Sequence, residues 1–211
     1  IVAAGVKIDT GTALTIDNDG AGTAIADATI MGLTFANYAT SSLGGSGVTV
    51  KADGTLSLSK TQADAMRAAG VKIDTGTALT IDNDGSGAGI ADATVRGLTF
   101  SNYNTTNLGG SGVRIKTDGA INLTTSQADS IRGEASVLLD ASSAITLDND
   151  GAGTAIADGT IRALTFGNYE TGDLGGASVT IKADGTLSLS KTQADAIVAA
   201  GVKIDTGTAL T

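Results

Sequence analysis

LSLSKTQADAMRAAGVKIDTGTALTIDNDG, residues 56–85, carries the local signals on which the fold turns. Leu56-Ser57-Leu58 alternates apolar and polar residues at the period of a strand, as do Val6-Lys7-Ile8, Leu14-Thr15-Ile16 and Val48-Thr49-Val50 upstream. Ser59 then stands three residues before Gln62, the spacing of a capping box, and Gly70 lies where the helix should stop. This pattern predicts a helix over about 60–69, with Ala63, Met66 and Ala69 on one face. Asp82-Asn83-Asp84-Gly85 closes the stretch with a turn signal, because Asx-Gly sequences readily adopt positive φ.

Outward from this stretch the chain repeats itself. Leu33-Thr34-Phe35 returns as Leu98-Thr99-Phe100 and again as Leu164-Thr165-Phe166, at a spacing that differs by a single residue between the two intervals. The phrase LTIDNDGAGTAIADATI at 14–30 returns at 79–95 and, slightly changed, at 145–161, and residues 197–211 are identical to residues 1–15. Units fall at about 1–65, 66–131 and 132–196, with 197–211 opening the next. The helix signal recurs at Thr124/Gln127 and Ser190/Gln193, which predicts helices at about 125–132 and 191–200. Residues 33–45 read as a weaker helix, capped by Thr34 and Asn37, or equally as strand and loop, because Asn, Thr and Ser dominate the second and third copies. The join at 132–140 carries one extra residue and loses the Gly-Val-Lys-Ile pattern of 70–73, so an irregularity is expected there.

Gly5, Gly47 and Gly70 precede similar strand patterns, and the first interval is nearly twice the second. Taken as turns of about 22 residues, these make three coils per unit, the usual coil length of a β-solenoid. The expected fold is therefore a single continuous parallel β-helix-like solenoid over 1–211 with short helices on one side; the alternative is a string of small α+β repeat domains. Small units with few aromatics have marginal cores, which favours the first.

Composition removes most reactive chemistry. The 211 residues include no Cys, His, Trp or Pro, and carry a formal charge of −9. Disulfides, thiolate sites and imidazole proton shuttles are excluded. The acidic balance repels nucleic-acid phosphates and anionic lipids, and no apolar run reaches the roughly 20 residues of a membrane span.

Three motifs could carry chemistry. The first is the acidic turn: Asp17 and Asp19, Asp82 and Asp84, Asp148 and Asp150, with Asp27, Asp92 and Asp158 each eight residues beyond the second aspartate of its copy. Clustered carboxylate oxygens suit calcium, so these nine are candidate ligands, although position 12 of an EF-hand frame is Ala28, not Glu, and a plain turn is the alternative. The second motif, LGGSGV at 43–48 and 108–113, is similar to the opening of a calcium-binding nonapeptide but has Val48 and Val113 where aspartate belongs; a glycine turn is the plainer reading. The third, Gly20-Ala21-Gly22, lacks the third glycine of a dinucleotide fingerprint. Lys7 with Asp9 and Lys51 with Asp53 read as exposed strand charges, and Tyr38, Tyr103 and Tyr169 repeat in register as half-buried rings or a surface stripe.

LSLSKTQADAIVAAGVKID and TALTIDNDGAGTAIADATI resemble repeats of large, repetitive surface or secreted proteins of Gram-negative bacteria. The resemblance implies export and work as an adhesin, matrix fibre or surface layer, with calcium often stiffening the chain. The expectation is a non-enzymatic structural or adhesive protein at the cell surface or beyond it. It would associate with identical chains, with cell-surface polysaccharide as a further candidate partner and no cofactor required beyond calcium. The alternatives are a monomeric adhesin stalk or carbohydrate-binding module, and a β-helix polysaccharide-active enzyme. The last would need a unique cleft, whereas every acidic group here recurs.

Overall fold

The computed structural model describes residues 2–208, 210 and 211. Ile1 and Ala209, which belong to the duplicated segments 1–15 and 197–211, lie outside the described residues.

The strands are short. They are β1 (Leu14–Ile16), β2 (Val48–Lys51), β3 (Ser57–Ser59), β4 (Val71–Asp74), β5 (Leu79–Asp82), β6 (Val113–Lys116), β7 (Ile121–Thr124), β8 (Val137–Asp140), β9 (Ile145–Asp148), β10 (Val179–Lys182) and β11 (Lys203–Asp205). Helices occupy the connections: α1 (Asp27–Met31), α2 (Thr40–Leu43), α3 (Lys60–Ala69), α4 (Asp92–Arg96), α5 (Thr105–Leu108), α6 (Thr125–Arg132), α7 (Asp158–Arg162), α8 (Thr171–Leu174) and α9 (Lys191–Ala200). The chain divides into two compact units, the residues up to Ala88 with Ser101–Ile115, and Gly89–Phe100 with the residues from Lys116 onward.

In the first unit β1, β2 and β4 pair in parallel, with Leu14, Val48 and Val71 in register and Ile16, Val50 and Ile73 two positions on. Alternate residues of a strand face opposite sides, so this register stacks like on like. Val48, Val50, Val71 and Ile73 are buried while Lys72 points to solvent. In the same unit β3, β5 and β6 are successive parallel neighbours, with Leu58, Ile81 and Ile115 in one fully buried row. The second unit contains β7, β9, β10 and β11 in that order, again parallel, through rows such as Leu123, Leu147, Ile181 and Ile204. Each large apolar side chain buried in these rows contributes about 2 kcal/mol.

The β-solenoid expectation is corrected by this arrangement. The described residues form an α/β fold of three small parallel sheets with helices between the strands, and among them no sheet closes or curls. The strand runs are only three or four residues long, and parallel neighbours need crossovers, which the chain fills with helix. The interval from Gly47 to Gly70, which the sequence suggests is one coil, is in part spent on the ten-residue α3. The α+β alternative fails as well, since every pair described is parallel.

The three capped helices form where predicted. Ser59, Thr124 and Ser190 each accept from the backbone of the glutamine three residues on, and Gln62, Gln127 and Gln193 return the bond, completing three capping boxes. Gly70 and Gly201 end their helices in the left-handed conformation, whereas Gly133 at the degenerate join stays right-handed, so the expected irregularity is present. The helix expected over 33–45 instead splits into a 3₁₀ turn, Phe35–Tyr38, and the single turn α2. Thr34 makes no side-chain cap there. Ala39, whose backbone is extended, separates the two pieces.

Candidate functional site

The acidic turns follow β1, β5 and β9, and their geometry is almost the same each time. In the first, the Asp17 carboxylate accepts from the backbone N–H of Gly20 and Gly22, and Asp19 accepts from Ala21 N at 2.8 Å and Thr23 Oγ1 at 2.8 Å. Asn18 N donates to Thr23 O at 2.8 Å and closes the loop. In the second, Asp82 accepts from Asp84 N, Gly85 N and Gly87 N, while Asp84 takes Ser86 N and Oγ. In the third, Asp148 accepts from Asp150 N, Gly151 N and Gly153 N, and Asp150 repeats the bonds of Asp19 with Ala152 and Thr154. Positive φ at Gly20 and Gly22, 73° and 96°, points these N–H groups inward.

Hydrogen bonds to an ionised carboxylate favour its charged form. Those from Ala21, and then Thr23, hold Asp19 below the usual carboxylate range; Ser86 does the same to Asp84, and Ala152 with Thr154 to Asp150. The ammonium of Lys51 caps the first turn through Gly22 O, and that of Lys182 caps the third through Gly153 O. Lys51 is thus engaged by the turn rather than paired with Asp53.

Asp27, Asp92 and Asp158 open the short helices α1, α4 and α7, and in each the Oδ1 atom is buried without a hydrogen-bond partner. Burial pushes the carboxyls of Asp27 and Asp92 above their ordinary value. Asp53 adds to the shift at Asp27; at Asp92, Arg96 opposes it and Asp118 adds to it. Sequence spacing alone could not find these orphaned oxygens, because their surroundings are set by segments well downstream, where Asp53 N bonds Ile25 O, Asp118 N bonds Ile90 O and Asp184 N bonds Ile156 O.

Calcium needs six to eight oxygens converging on one point. Among the described residues no group of three or more carboxylates is placed to hold a metal ion. The turn carboxylates are directed at backbone N–H donors, whose positive ends oppose a cation, so the donors present do not fit a preformed calcium site.

The glycine-rich LGGSGV segments, and the LGGASV that stands in their place at 174–179, serve packing. Gly44, Gly109 and Gly175 bridge Ile8, Ile73 and Leu139, and a Cβ on any of them would lie 2.0–2.2 Å from the carbonyl oxygen of that partner. Tyr103 and Tyr169 are buried; Tyr103 donates to Asp64 of α3 at 2.8 Å, and Asp129 of α6 stands beside Tyr169. Tyr38 is only half-buried. Sequence reasoning missed the Tyr–Asp pairs, whose members lie far apart along the chain.

A groove of about 580 Å³ lies against α3, lined by Leu33, Phe35, Ala39, Ala65, Ala68 and Ala69 among others. No titratable group lines it. Among the described residues no helix is long and apolar enough to cross a membrane. Comparison of the chain with protein-family models, with characterised proteins and with solved structures gives no match to any of them.

Proposed function

We propose that this chain is part of a structural repeat protein that works outside the cell, where identical chains associate into a fibre or layer. One observation carries the reading: the same long-range hydrogen bond is made in every repeat. The glutamine of each capping box donates through Nε2 to a carbonyl 31 residues earlier, Gln62 to Met31 O, Gln127 to Arg96 O and Gln193 to Arg162 O. The units place corresponding positions alike, so contacts made at those positions, even about 1 kcal/mol each, would sum along a chain. The acidic turns, the Tyr–Asp pairs and the glycine bridges recur in the same way, which favours a repeated role over a single site.

The test is electron microscopy of the purified chain at rising concentration, together with immunogold imaging of cells that express the protein. Ordered fibres or sheets in both support the reading. Dispersed particles in solution, with label scattered inside the cells, would overturn it.

A further inference from the structure

The dipeptide Asp-Gly occurs seven times, and its chemistry depends on what holds it. Three copies sit in the acidic turns, at Asp19-Gly20, Asp84-Gly85 and Asp150-Gly151, and one opens α7 at Asp158-Gly159. The other three, Asp53-Gly54, Asp118-Gly119 and Asp184-Gly185, follow β2, β6 and β10, once in each repeat. In the acidic turns both halves of the dipeptide are engaged. Gly20, Gly85 and Gly151 donate their N–H groups to Asp17, Asp82 and Asp148, and the carboxylates of Asp19, Asp84 and Asp150 accept from the residues that follow them. The surroundings are close as well: a Cβ on Gly85 would lie 3.1 Å from Gln62 Oε1, and one on Gly151 would lie 3.2 Å from Arg96 Cδ.

The turns after β2, β6 and β10 are the reverse. Asp53, Asp118, Asp184 and the glycines that follow them are exposed. Among the described residues these carboxylates make no hydrogen bond or ion pair, and the N–H groups of Gly54, Gly119 and Gly185 have no acceptor. Nothing lies within 4 Å of a Cβ placed on any of the three glycines. The chain is fixed just before them, where Asp53 N, Asp118 N and Asp184 N bond Ile25 O, Ile90 O and Ile156 O. Just beyond, one threonine hydroxyl reaches each glycine carbonyl: Thr77 to Gly54 at 3.0 Å, Thr117 to Gly119 at 3.2 Å and Thr208 to Gly185 at 3.3 Å. The peptide between aspartate and glycine is the free one.

We propose that Asp53, Asp118 and Asp184 are sites of self-modification to isoaspartate, and that the acidic turns protect Asp19, Asp84 and Asp150 from the same reaction. In the first step Gly54 N attacks Cγ of Asp53. The new N–Cγ bond replaces the bond from Cγ to its hydroxyl, which leaves as water with the amide proton, and a five-membered imide closes. Glycine favours this because no Cβ shields its nitrogen. Water then adds to the main-chain carbonyl carbon of Asp53, whose bond to Gly54 N breaks. The chain now runs through the side chain, and the old carbonyl is a free carboxylate. One water leaves and one returns, so no further reactant is needed. The extra main-chain atom falls beside the same bridge each time, Ile25 with Ala52, Ile90 with Thr117 and Ile156 with Ala183.

Ring closure needs an aspartate ψ that hard-sphere contacts disfavour, so it proceeds from a locally opened turn. Opening an acidic turn breaks several hydrogen bonds to charged groups. The same bonds keep Asp19, Asp84 and Asp150 ionised, without the hydroxyl that must leave. Asp158 is held by its helical turn, across which Ile161 N bonds Ala157 O.

The experiment stores the whole 211-residue chain at neutral pH, folded and in parallel unfolded in guanidinium chloride. Isoaspartate is then mapped in tryptic peptides by electron-transfer fragmentation, which tells the two isomers apart. Asp118 is read in peptide 117–132, while 52–60 and 183–191 are identical and report Asp53 and Asp184 together. Expected in the folded chain is conversion at these sites at least about tenfold faster than at Asp19, Asp84 and Asp150, with the difference gone in denaturant. Asp17→Ala takes the acceptor from Gly20 and should speed conversion at Asp19. Thr23→Val removes one bond to the exposed Asp19 and should do the same to a smaller degree, should Asp17→Ala fail to fold. Gly54→Ala separates peptide 52–60 from 183–191 and should slow Asp53 while leaving Asp118 unchanged. Equal rates at both sets in the folded chain would overturn the proposal, as would a difference that persists in denaturant. So would an Asp118 still intact in the folded chain when the unfolded chain has converted, or an unchanged rate at Asp19 in both variants of its turn.

Discussion

Gly109→Ala tests whether the glycine bridges hold the fold. Gly109 sits at φ 85° and ψ −158°, a region essentially closed to residues with a side chain, at a cost of about 1–3 kcal/mol. A Cβ there would lie 2.1 Å from Ile73 O, the same oxygen that accepts from Gly110 N at 2.9 Å. Backbone cannot swing aside as a side-chain tip can, so the bridge must open and that hydrogen bond weaken, adding about 1 kcal/mol. The sum, about 3 kcal/mol, corresponds to a fall in melting midpoint of roughly 6–12 °C for a chain of this size. Gly119→Ala is the control: φ is 72°, but nothing lies within 4 Å of the added Cβ, so left-handed strain of about 1–2 kcal/mol is the whole cost. Urea unfolding followed by far-ultraviolet circular dichroism compares the two. If Gly109→Ala is no more destabilising than Gly119→Ala, close approach at the bridge is not a structural requirement.

Gln62→Ala removes both the return bond of the capping box and the bond to Met31 O, and should lose about 2 kcal/mol in urea unfolding against about 1 kcal/mol for Ser59→Ala; equal losses would deny the long-range bond its role. Raised carboxyls at Asp27 and Asp92 favour the protonated form in the folded chain, so their contribution is fully present below the ordinary value of 3.8 and is lost as pH rises through the folded value. Asp27→Asn with Asp92→Asn should therefore raise the melting midpoint at pH 7, with the advantage fading as pH falls toward 3; a pH-independent difference would contradict burial as the cause. Asp19, Asp84 and Asp150 act with the opposite sign, contributing above 3.8 and losing it as pH falls through their lowered values. Because the turn carboxylates are directed at N–H groups, millimolar calcium followed by excess EDTA should leave the calorimetric midpoint unmoved; a reversible rise would restore them as ligands.

Local structure was legible where its cause is local. Ser59, Gln62 and Gly70 lie within one helix, and each alone limits where that helix begins or ends. Asp17-Asn18-Asp19-Gly20 likewise declares its turn through bonds spanning at most five residues. Sheet pairing was not legible, because parallel pairing joins residues distant in the chain, such as Val48 with Val71 and Leu14 with Val48, and no side-chain pattern records which strand is the neighbour. Recurrence once per unit fits one curled sheet as readily as several flat ones. The burial of Asp27 Oδ1 and the Tyr103–Asp64 bond were hidden for the same reason, since each depends on a distant segment arriving alongside.

The reach of Gln62 back to Met31 has a temporal side. In all three repeats the acceptor carbonyl precedes the donating glutamine by 31 residues, so the partner of each capped helix is already synthesised when that helix emerges. Docking of this kind never waits for a later part of the chain. Closing a loop of about 31 residues costs little more than closing half that length. Folding can thus advance from the amino end at the pace of polymerisation, and a very long array need hold only its newest tens of residues unstructured at any moment, which keeps identical neighbours from pairing out of turn.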